Sequence, residues 1–86
     1  MEINQLILLV KSKIERNIIL EDMDVVDKTH LHKKHLSHKE GKYHLLLKIR
    51  SKELKKYNKI QATKKIYSLL KSELKKHIHS IQILIN

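Results

Sequence analysis

The chain has 86 residues, a net charge of +10 with histidine neutral, and neither cysteine nor proline. A chain of this length forms one domain with one modest core, and without cysteine it makes no disulfide and no thiolate metal site of its own. The longest apolar run, residues 6–10, is far short of the ~20 residues that span a bilayer. We therefore expect a soluble protein of the reducing cytoplasm.

The charge is unevenly distributed along the chain. Residues 1–27 carry three basic and six acidic side chains, a net charge of −3, so the remainder carries +13. Residues 48–76 alone contain eleven Lys or Arg against two Glu. Such a surface attracts polyanions or acidic protein partners, although abundant lysine is also typical of an ordinary solvated surface.

The first half of the chain predicts a helix, a short strand and a loop. Residues 2–17 predict an amphipathic helix because apolar side chains recur at spacings of three and four. These side chains are Ile3, Leu6, Ile7, Val10 and Ile14. Residues 23–27 predict a short strand around Val25 and Val26. Residues 28–42 are polar and contain the only glycine, so they predict a loop.

The second half predicts two strands that flank a helical region. Over residues 43–50, the residues Tyr43, Leu45, Leu47 and Ile49 alternate with His44, Leu46, Lys48 and Arg50. This pattern predicts a strand with one well-buried face. Ser51 can cap a short turn, and from about Lys59 an apolar stripe predicts a second amphipathic helix. The stripe consists of Ile60, Ile66, Tyr67, Leu70 and Leu74. Residues 78–85 predict the last strand, with one side formed by His79, Ile81, Ile83 and Ile85.

This order of elements indicates the fold class. Helix, strand, strand, helical region and strand are typical of an α+β fold. We predict a single αββαβ domain over residues 1–86, in which two or three helices pack on one face of a three-stranded mixed sheet. Because a long helix joins the second strand to the third, that pair is predicted to be parallel.

Three segments of the chain resemble the BolA-like protein family. Asp27-Lys28-Thr29-His30-Leu31-His32 is similar to the family's Asp/Glu-x-Ser-x-x-His exit from a short strand. Tyr43-His44-Leu45-Leu46-Leu47 resembles its Thr-His-Phe-x-Val strand. Glu73-Leu74-Lys75-Lys76-His77-Ile78-His79-Ser80-Ile81 resembles its Glu-Leu, short spacer, Ile/Val-His-Ala-Leu signature. The resemblance covers nearly the whole sequence and implies a fold similar to the class II KH domain.

Two segments depart from the family pattern. Where the family usually has Phe-x-Gly, this chain has Leu54-Lys55-Lys56, and where the family has Arg-His-Arg, it has Ala62-Thr63-Lys64. Only Lys64 keeps the charge. If relatives use that helical His and Arg for partner or nucleic-acid contacts, we expect those contacts to be weakened or altered here.

The resemblance also implies a partner and a cofactor. It implies pairing with a monothiol glutaredoxin and a shared two-iron two-sulfur cluster, for which glutaredoxin and glutathione supply thiolates and the BolA-like protein supplies imidazole. By the matched motif, His79 is the first ligand candidate, His32 the loop candidate and His35 the reserve. The isolated protein, expected to be a monomer, then carries no cluster. This chain has histidines but no cysteine, so it can supply imidazole ligands while the thiolate ligands come from the glutaredoxin and glutathione.

Each histidine also has a simpler interpretation. His79 is predicted to lie on the same side of the last strand as Ile81, Ile83 and Ile85. A histidine on such an apolar side is commonly a hydrogen-bonded structural residue. His44 is predicted to lie on the opposite face from its apolar neighbours in a structural role, and His77 to be solvated. The loop ligand is open among four residues, His30, His32, His35 and His38. Their spacing could gather zinc or nickel, although structural zinc sites commonly include cysteine.

The alternative function is that of a DNA-binding transcriptional regulator, a role that the resemblance also implies. A lysine-rich helical face could lie along a phosphate backbone. We predict a nucleic-acid or partner surface formed by Lys59, Lys64, Lys65 and Lys71. A single glycine excludes a Gly-x-x-Gly clamp, and without Phe or Trp a platform for base stacking is poorly supplied. The chain has no recognisable nucleophile motif and no phosphate-cradling loop, so we predict no enzyme activity.

Overall fold

The structure, a computed structural model, describes residues 1–29 and 42–86. The loop histidines His30, His32, His35 and His38 lie outside the described residues. In chain order, the elements are α1 (Ile3–Asn17), β1 (Asp22–Asp27), β2 (Tyr43–Arg50), α2 (Lys52–Lys55), α3 (Lys59–Leu69), α4 (Lys71–Lys76) and β3 (Ile78–Ile85). Helices pack against a three-stranded mixed sheet, which confirms the predicted fold class.

The strand order in the sheet is β1-β2-β3, so β2 lies in the centre. β1 pairs with β2 in antiparallel orientation, and β3 pairs with β2 in parallel, as predicted from the helical crossover. The β2–β3 register has one irregularity: Tyr43 is opposite Ile78, whereas His44 is opposite Ser80. His79 is therefore an extra residue, and β3 begins with a β-bulge.

One core joins the helices to one face of the sheet. α1 begins at a capping box formed by Glu2 and Gln5. Its predicted apolar stripe is buried at Leu6, Val10 and Ile14 and half-buried at Ile3 and Ile7. The fully buried side chains of the core include Leu6, Val10, Ile14, Leu47, Ile49, Leu54, Ile66 and Leu70. Within residues 1–29 and 42–86, no helix is long and apolar enough to cross a membrane.

The second helical region is divided, unlike the single long helix that the stripe predicted. α3 ends at Leu69, and its C-cap residue Leu70 has a backbone (φ −103°, ψ 16°) outside the helical range. α4 starts immediately after Leu70. α2 forms a separate single turn that is capped by the Ser51 side chain. The apolar pattern continues across Leu70, so periodicity alone does not reveal the break.

The predicted apolar face of α3 is also wrong at two positions. Ile60 is 67% exposed and Tyr67 42% exposed. Ile66 and Leu70 are buried as predicted, and Ala62, which the stripe did not include, is buried as well. These three residues recur every four positions and form the inner side of the helical region. A small alanine on that side allows α3 to pack close to the core.

An ion pair fastens α1 to α4. Lys13 Nζ lies 2.9 Å from Glu73 Oε1 and 2.7 Å from Glu73 Oε2. Glu73 is buried and Lys13 about one-third exposed. A buried carboxylate is costly without a partner, so the pair stabilises the packing of α4 against α1.

Candidate functional site

The bulge at the start of β3 decides where His79 points. In a regular strand His79 would share the side of Ile81, as the sequence pattern predicted. Because the bulge inserts one extra residue, Ile78 is buried and Ile81 packs against the same core, while His79 is exposed. The prediction that His79 lies on the apolar side of the strand was therefore wrong, and its imidazole is accessible to solvent.

The His79 ring lies beside a second, buried imidazole. The centroids of the His79 and His44 rings are 4.8 Å apart, with the ring planes tilted by 55°. His44 is only 6% exposed, and its Nδ1 lies 2.7 Å from Ser80 Oγ. An accessible imidazole thus rests against a ring whose own position is held by a hydrogen bond and by burial.

Hydrogen bonds also join the end of β1 to the backbone of His44. Asp27 Oδ1 accepts hydrogen bonds from the Thr29 N–H, at 2.9 Å, and from the Thr29 hydroxyl. Thr29 Oγ1 in turn accepts from the His44 N–H at 3.1 Å, and the Lys28 N–H donates to the His44 carbonyl at 2.7 Å. The chain therefore leaves β1 at a point fixed next to His44.

The donor set of the described residues is incomplete for a metal. Within residues 1–29 and 42–86, no group of three or more His, Cys, Asp or Glu side chains is placed to hold an ion. The predicted ligands His32 and His35 lie outside the described residues.

The predicted lysine surface is only partly available. Lys59, Lys64 and Lys71 are exposed. Lys65 is half-buried, because its Nζ lies 5.1 Å from the centre of the Tyr57 ring and 3.8 Å from Glu53 Oε2. Three of the four predicted residues can therefore meet a partner freely, whereas Lys65 already makes contacts within the fold.

A model of the family described as "BolA-like protein" matches residues 14–86. The chain belongs to the BolA-like family. No curated protein sequence matches it. Among solved structures, this BolA-like chain is similar to the BolA domain of SufE1 from Arabidopsis thaliana (24% identity, TM-score 0.79) and to BolA1 from Arabidopsis thaliana (22% identity, TM-score 0.77). Each match covers 93% of this chain and 88% of the other, which confirms the fold.

The segments that carry the family resemblance converge at one end of this BolA-like sheet. Thr29, at the position of the family's serine, binds the backbone of His44, which belongs to the second matched segment. The third segment supplies the buried Glu73 and the exposed His79. His77, predicted to be solvated, is half-buried, and its carbonyl accepts from the Tyr43 N–H at 2.9 Å.

The contribution of His44 and Ser80 to this site was not predicted from the sequence. His44 was assigned only a structural role, and Ser80 was not considered. The sequence does contain a signal for the bulge: Ile78 and Ile81 are three residues apart, so they cannot share one face of a regular strand. Burying both requires one extra residue between them, and here that extra residue is His79 itself.

Proposed function

We propose that this BolA-like protein is a non-enzymatic adaptor that docks to a monothiol glutaredoxin and supplies histidine to a shared two-iron two-sulfur cluster. The observation that carries the proposal is the exposure of His79 at the bulge, in the segment that matches the family signature. A ligand for a shared group must be reachable from outside its own fold, and this imidazole is.

The surroundings of His79 support a ligand role. A metal-binding imidazole is effective when neighbouring groups fix the orientation of its ring. Here His44 lies against the ring, and Ser80 holds His44. The partial donor set of the described residues and the lack of cysteine in the whole chain are consistent with thiolates that come from glutaredoxin and glutathione.

In the proposed complex, His79 and one loop histidine, His32 or His35, would hold the cluster on this side. When bound, the cluster supplies the iron and sulfide that iron–sulfur assembly or iron sensing requires. The chain's own contribution is to present a nitrogen donor and to keep that donor in place. The free protein is proposed to be a cytoplasmic monomer without a cluster.

The experiment is a titration of a cluster-loaded monothiol glutaredoxin, with glutathione, by this protein. Addition of the wild type should change the visible absorption and circular dichroism of the cluster, and His79→Ala should abolish the change. His77→Ala is the matched control, since it removes an imidazole two residues away, and it should behave as the wild type. His32→Ala and His35→Ala, tested separately, identify the loop ligand. Equal spectra for the wild type and His79→Ala would refute the assignment.

DNA binding is the second candidate, favoured by the exposure of Lys59, Lys64 and Lys71. A transcriptional regulator should prefer a sequence and keep that preference at physiological salt. Binding that collapses between low and moderate salt, without preference, would instead indicate a generic cationic surface. Electrophoretic mobility shifts at two salt concentrations, with a specific and a scrambled duplex, separate the two results.

A further inference from the structure

The second half of β3 forms a free edge of the sheet. The Asn86 N–H donates to the Ile49 carbonyl at 2.8 Å, and the Asn86 carbonyl accepts from the Ser51 N–H, so the backbone groups of Asn86 face β2. Because alternate residues of a strand direct their N–H and C=O groups to opposite edges, those of Ile83 and Ile85 point away from the sheet. Among the described residues, no hydrogen bond is made to these outward groups.

A groove of about 590 Å³ runs beside this edge. Its apolar part is formed by Leu54, Ala62 and Ile83, at the junction of α2, α3 and β3. Lys48, Lys55 and Lys59 also line it, and no described Asp or Glu does. The groove therefore combines unsatisfied backbone donors and acceptors, apolar side chains and positive charge.

We propose that this groove binds an extended, acidic peptide segment of a partner protein, which adds to the sheet as a fourth strand beside β3. The peptide backbone would pair with the outward groups of Ile83 and Ile85, as in other cases of strand addition. Alternate peptide side chains would face the apolar part of the groove. The acidic charge of the peptide would be attracted to Lys48, Lys55 and Lys59, which line the groove.

The groove suits a peptide better than a nucleic acid. The described residues contain no glycine that would let a phosphate approach the backbone closely, and Tyr57 is the only aromatic residue that lines the groove in the described part of the chain. Bases bind single-strand platforms by stacking on several aromatic rings. A row of backbone N–H and C=O groups, by contrast, matches the repeat of another strand.

This surface is separate from the histidine site. Ile83 and Ile85 follow His79 by four and six residues, which corresponds to about 13–20 Å along the strand at ~3.3 Å per residue. A partner could therefore occupy the groove while the His79 end is engaged elsewhere. Peptide binding at the groove therefore does not depend on whether His79 binds a shared cluster.

The test uses a fluorescein-labelled peptide of eight residues in which glutamate and valine alternate, with both termini blocked. Fluorescence anisotropy should show saturable binding, and amide resonances of Ile83 and Ile85 should shift while that of His79 does not. Two further peptides carry N-methyl groups on all valines or on all glutamates. Only one edge of the peptide faces β3, so only one of the two methylated sets removes N–H groups that bond to β3. The peptide with that set should bind about 10-fold more weakly.

Variants of the protein test the charge and the edge. Lys59→Glu should weaken binding by about 3- to 10-fold, whereas Lys75→Glu, an equal charge change at an exposed lysine that does not line the groove, should change it less than about twofold. Ile85→Pro removes an outward N–H but no bond of the ladder, and it should also weaken binding. Circular dichroism checks that each variant is folded.

Three outcomes would overturn the proposal. The first is that the acidic peptide does not bind at concentrations up to ~1 mM. Its binding free energy would then be less favourable than about −4 kcal/mol. The second is equal binding of both N-methylated peptides and of the two lysine variants, which would indicate non-specific charge attraction. The third is tighter binding of an eight-nucleotide thymidine oligonucleotide, with shifts at the same amides, which would assign the groove to nucleic acid.

Discussion

The two ends of β3 expose different parts of the same strand. At the first end, a bulge breaks the register with β2 and places the His79 side chain in solvent. At the second end, the register is regular, side chains such as Ile83 turn toward the core, and the backbone edge is what remains exposed. An irregular strand thus presents a side chain, whereas a regular edge strand presents its main chain.

Both ends depend on β2 for their positions. The first end is held by the contact of Ser80 with His44 and by the hydrogen bond from Tyr43 to His77. The second end is held by the bonds of Asn86 to Ile49 and Ser51. Substitutions can therefore disturb both ends together or one end alone, and the expected effects decrease in that order.

The largest effect is expected for Leu47→Ala, which should disturb both ends. Leu47 is fully buried in β2, and truncation of such a residue costs about 2–5 kcal/mol because it leaves a cavity. Urea unfolding followed by circular dichroism measures the loss. Leu8→Ala, at a residue that is 68% exposed, is the control and should change stability by less than about 0.5 kcal/mol. Equal effects of the two variants would contradict the described core.

A smaller effect is expected for Lys13→Met, which leaves the buried Glu73 carboxylate without its partner. We expect a loss of about 1–3 kcal/mol, less than for a fully buried pair because Lys13 is partly exposed. Amide hydrogen exchange should rise first in α4 and at Ile78, at the histidine end of β3. Lys65→Met removes a longer ion pair, in which Nζ lies 3.8 Å from Glu53 Oε2. It should lower the free energy of unfolding by less than ~1 kcal/mol. If Lys65→Met proves the more costly, α4 is not held in the way described.

The smallest effect, and the most local, is expected for Ser80→Ala. It removes the 2.7 Å contact with His44, for which we expect a loss of about 0.5–1.5 kcal/mol. Ring resonances of His44 and His79 should shift, while peptide binding at the groove stays unchanged. Gln82→Ala, an exposed position two residues further along the same strand, should leave those ring resonances in place. Unshifted rings in Ser80→Ala would show that the serine does not position His44.

Local patterns predicted the elements on which the fold depends. Alternation over β2 and β3 located both strands, and the rule that helical crossovers join parallel strands gave their relative direction. These predictions succeeded because successive side chains of a strand alternate between its two faces, a pattern that is visible within a few residues. In β2, burial extends to the second face at His44 and Leu46. The apolar stripe of α1 was equally clear, and its members Leu6, Val10 and Ile14 are fully buried.

The candidate site was harder to predict because it depends on register between strands. The contact of His44 with Ser80 and His79 exists only when β2 and β3 are paired with one extra residue, and neither strand alone specifies this pairing. On α3, Ile60 and Tyr67 were mispredicted because they lie six residues before and one residue after the buried Ile66. At about 100° per residue, both point roughly 100–120° away from the buried side of the helix. The glutaredoxin partner, the cluster and the compartment stay predictions.

The position of β3 has a consequence for folding. β3 pairs with β2 only after the 27 residues between Arg50 and Ile78, which include α2, α3 and α4, have closed into a loop, and such long-range parallel pairing is slow compared with local contacts. We therefore expect β3 to dock late and to detach early during partial unfolding. A molecule in which β3 is not docked would then lack both the exposed His79 at the bulge and the groove beside the edge of β3, so both proposed sites depend on the completed fold.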